Sequence, residues 1–277
     1  MEIPITKIVV LMKHSLKKAI NKLGKKQRPN LTIFFISKEP RLPKTLSIKS
    51  KIAKELNINL QVCKIAETRS FESLMHKIKE KSNDPTTHGV VIHRPLPAQL
   101  STESIYDFIA LKKEIEGHRR KTSYLPPIGN ALLTVLKYIF TQKLSSVNPF
   151  FDPQKDSVTI KKIFKNKKVV YINKGNTDNA SIGKSLTDSK INYISITPLT
   201  PEPESYYKEA DVLITTVDGF VKCEILKKGV VFLNINGVNS DKKIKKIASY
   251  YSSPKNPIEL VESYCLFRNL IDAVKLH

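Results

Sequence analysis

The sequence predicts an α/β protein of two domains: an N-terminal three-layer α/β domain and a Rossmann-like nucleotide-binding domain, with a cleft between them. Three observations predict it. Short apolar runs of strand length alternate with segments of helical period. The alternation occurs twice, and a helix with a polar, proline-containing stretch separates the two series. Successive strands joined through helices must lie parallel, because a parallel pair needs a crossover connection.

The first series opens at "LTIFFIS" (31–37), a continuous apolar run rich in β-branched and aromatic residues. "KTLSIKSKIAKELNI" (44–58) follows, with Leu46, Ile48, Ile52, Ala53 and Leu56 near helical spacing. "NLQVCKI" (59–65) is a strand. "SFESLMHKIKEKSN" (70–83) is a helix capped at Ser70, with Glu72 in its first turn. "GVVIHR" (89–94) is the third strand. It ends on two basic residues and runs into Pro95 and Pro97. A helix, "GNALLTVLKYIF" (129–140), leads to an irregular stretch, "SVNPFFDPQ" (146–154). The second series has strands at 167–173, 191–197, 211–217 and 230–235. A helix opens at "SIGKSLTDS" (181–189), and a short helical piece falls at 201–210. A long helix, 256–275, closes the chain. The expected division is 1–128, with the terminal helix 257–277 packing back on it, and 129–256.

The chain has 277 residues, 40% of them hydrophobic, enough for a real core. No apolar run approaches the ~18 residues of a membrane span. The N-terminal Ile8–Met12 patch runs into a Lys-rich amphipathic stretch with no small-residue cleavage site, and reads as mature protein. Cys63, Cys223 and Cys265 lie far apart, so neither a zinc site nor a disulfide framework is expected, and a cytoplasmic setting is. The net charge is +22. Its lysines are spread along the chain, arginine is scarce, and no aromatic–arginine interleaving occurs. Specific nucleic-acid binding is therefore not expected. An anionic small ligand would profit from the same field.

Several residues could carry chemistry, and each has an ordinary alternative. Gly175 and Gly183 bracket a polar loop between a strand and a helix, where a helix N-terminus can hold a phosphate. Gly183-Lys184-Ser185 resembles the end of a P-loop, but Asp178 stands where its first glycine belongs. The G-x-G-x-x-G fingerprint is incomplete as well. An Asn/Gly/Asp connection explains the loop equally. Lys49 sits between Ile48 and Ile52 on a helix, where a lysine ordinarily snorkels to the surface. Glu114 and Glu116 flank Ile115 before Gly117, as a charged loop would. A histidine such as His93 at a strand end is ordinarily a satisfied, partly buried residue.

Order and spacing bring these residues together. "PNLTIFFISKEPRLPKTLSIKSKIAKELNI" followed by "IHRPLP" and "KEIEG" resembles the bifunctional methylenetetrahydrofolate dehydrogenase/methenyltetrahydrofolate cyclohydrolase family. The resemblance implies that Lys49 stands on the catalytic lysine and Thr45 on a tyrosine one turn before it. His93 stands on a glutamine of the family's Val-Gln-Leu-Pro-Leu-Pro. Glu116 stands on a pterin-contacting aspartate, with Pro97 and Asn256 also at the substrate. Pro126-Pro127-Ile128-Gly129 echoes the family's Thr-Pro-x-Gly helix start. In the second domain Gly175, Asn176, Thr177, Gly183, Thr200 and Val238 fall near the cofactor. The implied activity is NADP-dependent oxidation (NAD being possible) of 5,10-methylenetetrahydrofolate to the methenyl form, and its hydrolysis to 10-formyltetrahydrofolate. The implied partners are tetrahydrofolate derivatives and a second copy of the chain, with no metal. A lysine can move the required proton when partly desolvated, and the cofactor carries the hydride. His93 is expected to titrate near 6.5 if it works as an acid or base.

The chain departs from the family at several points. Thr45 lacks the tyrosine ring and phenol, His93 replaces an amide, and Glu116 is one methylene longer. "PKNPIE" (254–259) replaces a glycine-rich loop that lets backbone approach folate. These departures define the alternative: a catalytically impaired relative that works as a folate- or nucleotide-binding or interaction module.

Overall fold

The computed structural model describes residues 1–24, 28–38, 41–65, 70–97, 100, 103–119, 121–144, 148–175, 180–235, 243–255 and 257–276. They fall into two compact units. One holds residues 13–127 and 263–277, the other residues 1–12 and 128–262. The first twelve residues thus group with the second α/β series rather than the first.

The unit of residues 13–127 is built on three parallel strands, β1 (Asn30–Ile36), β2 (Asn59–Ile65) and β3 (Gly89–Ile92), in the order β2-β1-β3. β1 is central and buried from Leu31 to Ile36, as a strand covered on both faces must be. β2 lies at the edge, and its residues alternate toward exposure. Two helices make the crossovers, α2 (Lys44–Glu55) and α3 (Phe71–Asn83). Ser70 caps α3 as expected, its hydroxyl accepting from the Ser73 N–H at 3.2 Å. Leu74, Met75 and Ile78 of α3 pack with Phe34, Ile36, Val90 and Ile92 into one apolar cluster. Gly89 is required at the start of β3. A Cβ there would fall 2.8 Å from Ile115 Cδ1 and 2.9 Å from Leu270 Cδ1.

The second unit holds five parallel strands, β4 (Val169–Ile172), β5 (Ile194–Ile196), β6 (Val212–Thr215), β7 (Val231–Asn234) and β8 (Tyr250–Tyr251). Their order is β5-β4-β6-β7-β8. Counted within the unit this is 2-1-3-4-5, a doubly wound order whose direction reverses between β4 and β6. Ligands of such sheets sit at the carboxyl ends of strands near that switch. The strands are apolar throughout (Val170, Ile172, Leu213 and Phe232 among them) because helices cover both faces. Residues 1–3 shield the β8 edge: the Ile3 N–H donates to Tyr251 O and the Tyr251 N–H to Met1 O, both at 3.0 Å.

The stretch read as irregular, 146–154, ends in the start of a helix, α5 (Pro153–Phe164). Its Asp152 cap accepts from the Gln154 N–H at 3.0 Å, and Pro153 occupies the first turn. α4 (Pro127–Thr141) and α6 (Ala180–Asp188) approach closely in this unit: a Cβ on Gly129 would sit 1.8 Å from Ser185 Oγ. The remaining helices are α1 (Ile5–Asn21), α7 (Pro203–Tyr207), α8 (Ile244–Ile247) and α9 (Ile258–Lys275). No described helix is long and apolar enough to cross a membrane.

Candidate active site and nucleotide-binding loops

Lys49 does not snorkel. It is 6% exposed and shares the inner face of α2 with Leu46, Ile52 and Ala53. The i, i+3 spacing that buries Leu46 buries Lys49 as well. A buried ammonium is costly without a structural or chemical reason. Thr45 lies one turn earlier, half-buried, on the same side of the helix.

His93 continues β3 past its last regular residue, its N–H donating to Phe34 O at 2.9 Å. Its ring packs edge-on against Phe35, with centroids 5.7 Å apart. Burial, and then the positive charge of Lys49, push the imidazole down to about 4. Lys49 is therefore close enough to act on the His93 ring. This corrects the expectation of a histidine titrating near 6.5. At neutral pH His93 is an uncharged hydrogen-bonding group, as the amide of a glutamine is.

Glu116 arrives through a tightly made turn. The Val90 N–H donates to Lys113 O at 2.9 Å, so residues 113–114 lie beside β3. Glu114 is 0% exposed. Its carboxylate accepts from the N–H groups of Glu116 at 2.9 Å, His118 at 3.1 Å and Arg119 at 3.3 Å. Burial raises the Glu114 carboxyl above its ordinary range, against the pull of those three donors. From α9, the Asn269 amide donates to Ile115 O at 2.8 Å and Leu125 O at 2.9 Å. So held, Glu116 accepts from the Ile92 N–H at 3.3 Å, one residue before His93. Gly117, at φ +79, makes the turn possible: a Cβ would fall 2.8 Å from Pro126 N.

Beyond the strand, Arg94 Nε donates to the Tyr106 hydroxyl at 2.8 Å, and the His118 ring stacks on Tyr106 at 4.0 Å. Pro97 is half-buried, and its carbonyl accepts from the Leu100 N–H at 2.8 Å. Lys49 and Thr45 thus lie one turn apart on α2, the Lys49 charge acts on His93, and Glu116 reaches the strand end beside His93. Glu114, Arg94 and Tyr106 were not singled out as site residues from sequence. Glu114 was visible only as half of a charged pair.

In the second unit Gly175 follows β4 with φ +75, and its N–H donates to Asn173 Oδ1 at 2.8 Å. Asn173 also ties β4 to β5: its amide donates to Ser195 Oγ at 2.9 Å. Thr200 Oγ1 accepts from the Thr197 N–H at 2.9 Å, closing the turn after β5. These loops leave the carboxyl ends of adjacent strands next to the switch point, where a nucleotide is held. The stretch Thr197–Thr200 carries no carboxylate. Gly183 is not at the helix start. It is the fourth residue of α6, buried, and a Cβ there would meet the Tyr193 hydroxyl at 2.8 Å. It serves helix–strand packing, as the last glycine of a dinucleotide fingerprint does. Asn176, Thr177, Val238 and Asn256 lie outside the described residues. Among the described residues no group of three or more His, Cys, Asp or Glu could hold a metal ion.

Fold and site together define a two-unit α/β protein. One unit carries a buried lysine on a helix and a histidine at a strand end, and the other is a doubly wound sheet of nucleotide-binding type. Residues 3–116 match the family described as "Tetrahydrofolate dehydrogenase/cyclohydrolase, catalytic domain". The chain is 24% identical over 225 residues to the bifunctional protein FolD of Chloroherpeton thalassium, covering 76% of this chain and 70% of that one. The fold is similar to that of the bifunctional enzyme FolD from Campylobacter jejuni, with TM-score 0.80, 18% identity, and coverage of 100% and 99%. It is also similar to the Trypanosoma brucei methylenetetrahydrofolate dehydrogenase-cyclohydrolase, solved with NADP and an inhibitor. There the TM-score is 0.77 at 15% identity, over 98% and 95%. Residues 3–116 thus resemble the catalytic domain of the tetrahydrofolate dehydrogenase/cyclohydrolase family, and the chain has the fold of the FolD enzymes.

Proposed function

We propose that this protein interconverts one-carbon tetrahydrofolates. It oxidises the 5,10-methylene form to the 5,10-methenyl form with NADP, and hydrolyses the latter to 10-formyltetrahydrofolate. The observation that carries the reading is Lys49: an ammonium buried on α2 within electrostatic reach of a neutral His93. It lies within the segment that matches the family's catalytic domain.

In the hydrolysis, water adds to the bridging carbon and the bond from that carbon to N5 opens. The water gives up two protons, one ending on N5 and one in solvent. Lys49 carries the proton between water and N5. His93, neutral and fixed by Phe35 and the strand, orients the water by hydrogen bonding, and Thr45 supplies a hydroxyl one turn from Lys49. Glu116 holds the pterin through its carboxylate, and Pro97 and Asn256 border it.

For the oxidation, bound NADP supplies the hydride acceptor. Gly175, Asn176, Thr177, Gly183, Thr200 and Val238 are the residues assigned to it. Gly175 and Thr200, at the ends of β4 and β5, fit a dinucleotide. The carboxylate-free turn after β5 fits a 2′-phosphate, which an acidic residue there would repel. NAD is the second choice. The working form is proposed to be a cytoplasmic homodimer, as the resemblance implies.

The test is methenyltetrahydrofolate hydrolysis by the protein beside Lys49→Ala. Hydrolysis above the uncatalysed rate, falling at least ~100-fold in the variant, is expected. Equal rates in both proteins would remove Lys49 from the mechanism. If neither turns over while folate still binds, the chain is a binding module. Thr45, with neither ring nor phenol, is the residue that favours that second reading.

A further inference from the structure

The second unit carries a groove that the proposed chemistry does not use. The end of α5, the residues after α6 and the lead into β5 enclose about 950 Å³. These segments precede β4 and β5, so the groove lies at the amino ends of the strands. The nucleotide loops leave the opposite ends.

Val158, Lys161, Lys162 and Lys165 line it at i, i+3, i+4 and i+7 along one face of α5. Lys190 lines it from the α6 side, and no described carboxylate does. Beneath lie the buried Phe164 and Ile191 and the half-buried Tyr193. Lysines in the last turn of a helix complement its dipole, which accounts for Lys161 and Lys162. That effect does not account for Val158, left 78% exposed among the lysines.

Nor does it account for Lys190. This residue occupies the left-handed position after α6 at φ 58, where glycine or asparagine is preferred and other side chains are strained. Its N–H donates to Thr187 O at 2.9 Å, and the Ile191 N–H to Leu186 O at 3.0 Å. Gln142 sits at a similar φ of 55, but its side-chain amide donates to Ile139 O and to the Tyr250 hydroxyl, both at 2.8 Å. Among the described residues the Lys190 side chain has no such bond. Local stability therefore does not explain a lysine at this position.

We propose that this groove docks an acidic, amphipathic segment of a partner protein. Its carboxylates would pair with Lys161, Lys162, Lys165 and Lys190, and an apolar side chain would cover Val158. The lining argues against the same face of a second copy as occupant, since its Lys161, Lys162, Lys165 and Lys190 would meet their own counterparts. The rings argue against nucleic acid. Phe164 is buried, which leaves the half-buried Tyr193 as the one accessible ring of the lining, too few for a row of stacked bases. The groove also lacks an arginine for bidentate phosphate contact.

The test uses fluorescence anisotropy with a labelled peptide of Glu-Glu-Leu-Leu repeats, a polyglutamate of equal charge and an oligothymidylate of equal charge. The combined variant Lys161→Glu/Lys165→Glu/Lys190→Glu should weaken the Glu-Leu peptide at least ~10-fold. Reversing Lys17 and Lys18 on α1 and Lys22 just after it makes the same change in net charge and should cost far less. Val158→Asp should weaken the Glu-Leu peptide more than polyglutamate. Lys190→Gly should raise Tm, by relieving the left-handed strain, and still weaken the peptide. Equal losses in the two charge-reversed variants would reduce the groove to diffuse charge and overturn the proposal. So would tighter binding of oligothymidylate through the same lysines, or no peptide binding at low salt.

Discussion

At position 93 the same residue looks different at two levels. In sequence a histidine ending an apolar strand suggests a group that titrates near neutrality. In the fold the ring is set against Phe35 and faces the charge of Lys49, and its pKa is pushed down to about 4. The folded protein therefore resists a proton that the unfolded chain accepts near 6.5. Stability from this site is complete above about pH 6.5 and is lost as pH falls toward 4, because the unfolded state binds the proton first. Urea unfolding of the protein and of His93→Gln should diverge on acidification, the native protein losing about 2 kcal/mol more between pH 7.5 and pH 5. Parallel loss in both would mean that His93 charges freely in the fold. Hydrolysis should show no inflection from His93 between pH 5.5 and 8. Lys49 follows the same lesson. Its helical spacing was legible, but burial was not, because an amphipathic pattern with a lysine on the border has two allowed rotations about the helix axis.

At the scale of elements, the alternating strands and helices were legible because parallel strands covered on both faces read as unbroken apolar runs. α5 was not. Phe150-Phe151 and Pro153 make 146–154 look like a loop, although Asp152-Pro153 with Asp156 in the first turn is also a helix-start signature. The turn 114–119 was the larger omission. It has no regular structure, and its order comes from one buried carboxylate serving three N–H groups. Only the folded backbone shows that Glu114 points inward while Glu116, two residues on, reaches Ile92. Glu114→Ala would leave three donors without their acceptor at a site 0% exposed. At about 1–3 kcal/mol for each unsatisfied group, the expected loss in denaturant unfolding is at least ~3 kcal/mol. Glu116 should lose its position with it, so folate binding should weaken in whatever fraction stays folded. A loss under ~1 kcal/mol would show that water replaces the carboxylate.

Over the whole molecule, the chain's net charge and the nucleotide loops bear on one choice. The lysines that give +22 are dispersed, so charge alone suggested an anionic ligand without locating it, and it was the loop pattern and the family resemblance that pointed to Gly175 and Thr200. The fold sets those two residues at the ends of β4 and β5, with Gly175 in a left-handed conformation and no carboxylate from Thr197 to Thr200. A dinucleotide domain selective for NAD places an acidic residue near there to bind the ribose hydroxyls. With none from Thr197 to Thr200, the extra phosphate of NADP meets no carboxylate within that turn, and the net charge of the chain favours it. A ligand that binds only the folded state at about a hundred times its Kd adds ~2.7 kcal/mol of stability. For a chain of this size that corresponds to a Tm increase of roughly 5–10 °C. NADP should therefore raise Tm more than NAD at equal concentration in low salt. Because the preference rests on long-range charge, the gap should narrow as added salt shortens the screening length to about 3 Å near 1 M. A larger shift with NAD at low salt would exclude the proposed cofactor. A gap that persists undiminished in high salt would instead locate the selectivity in direct, short-range contacts to the 2′-phosphate, with Lys174 beside Gly175 the first residue to substitute.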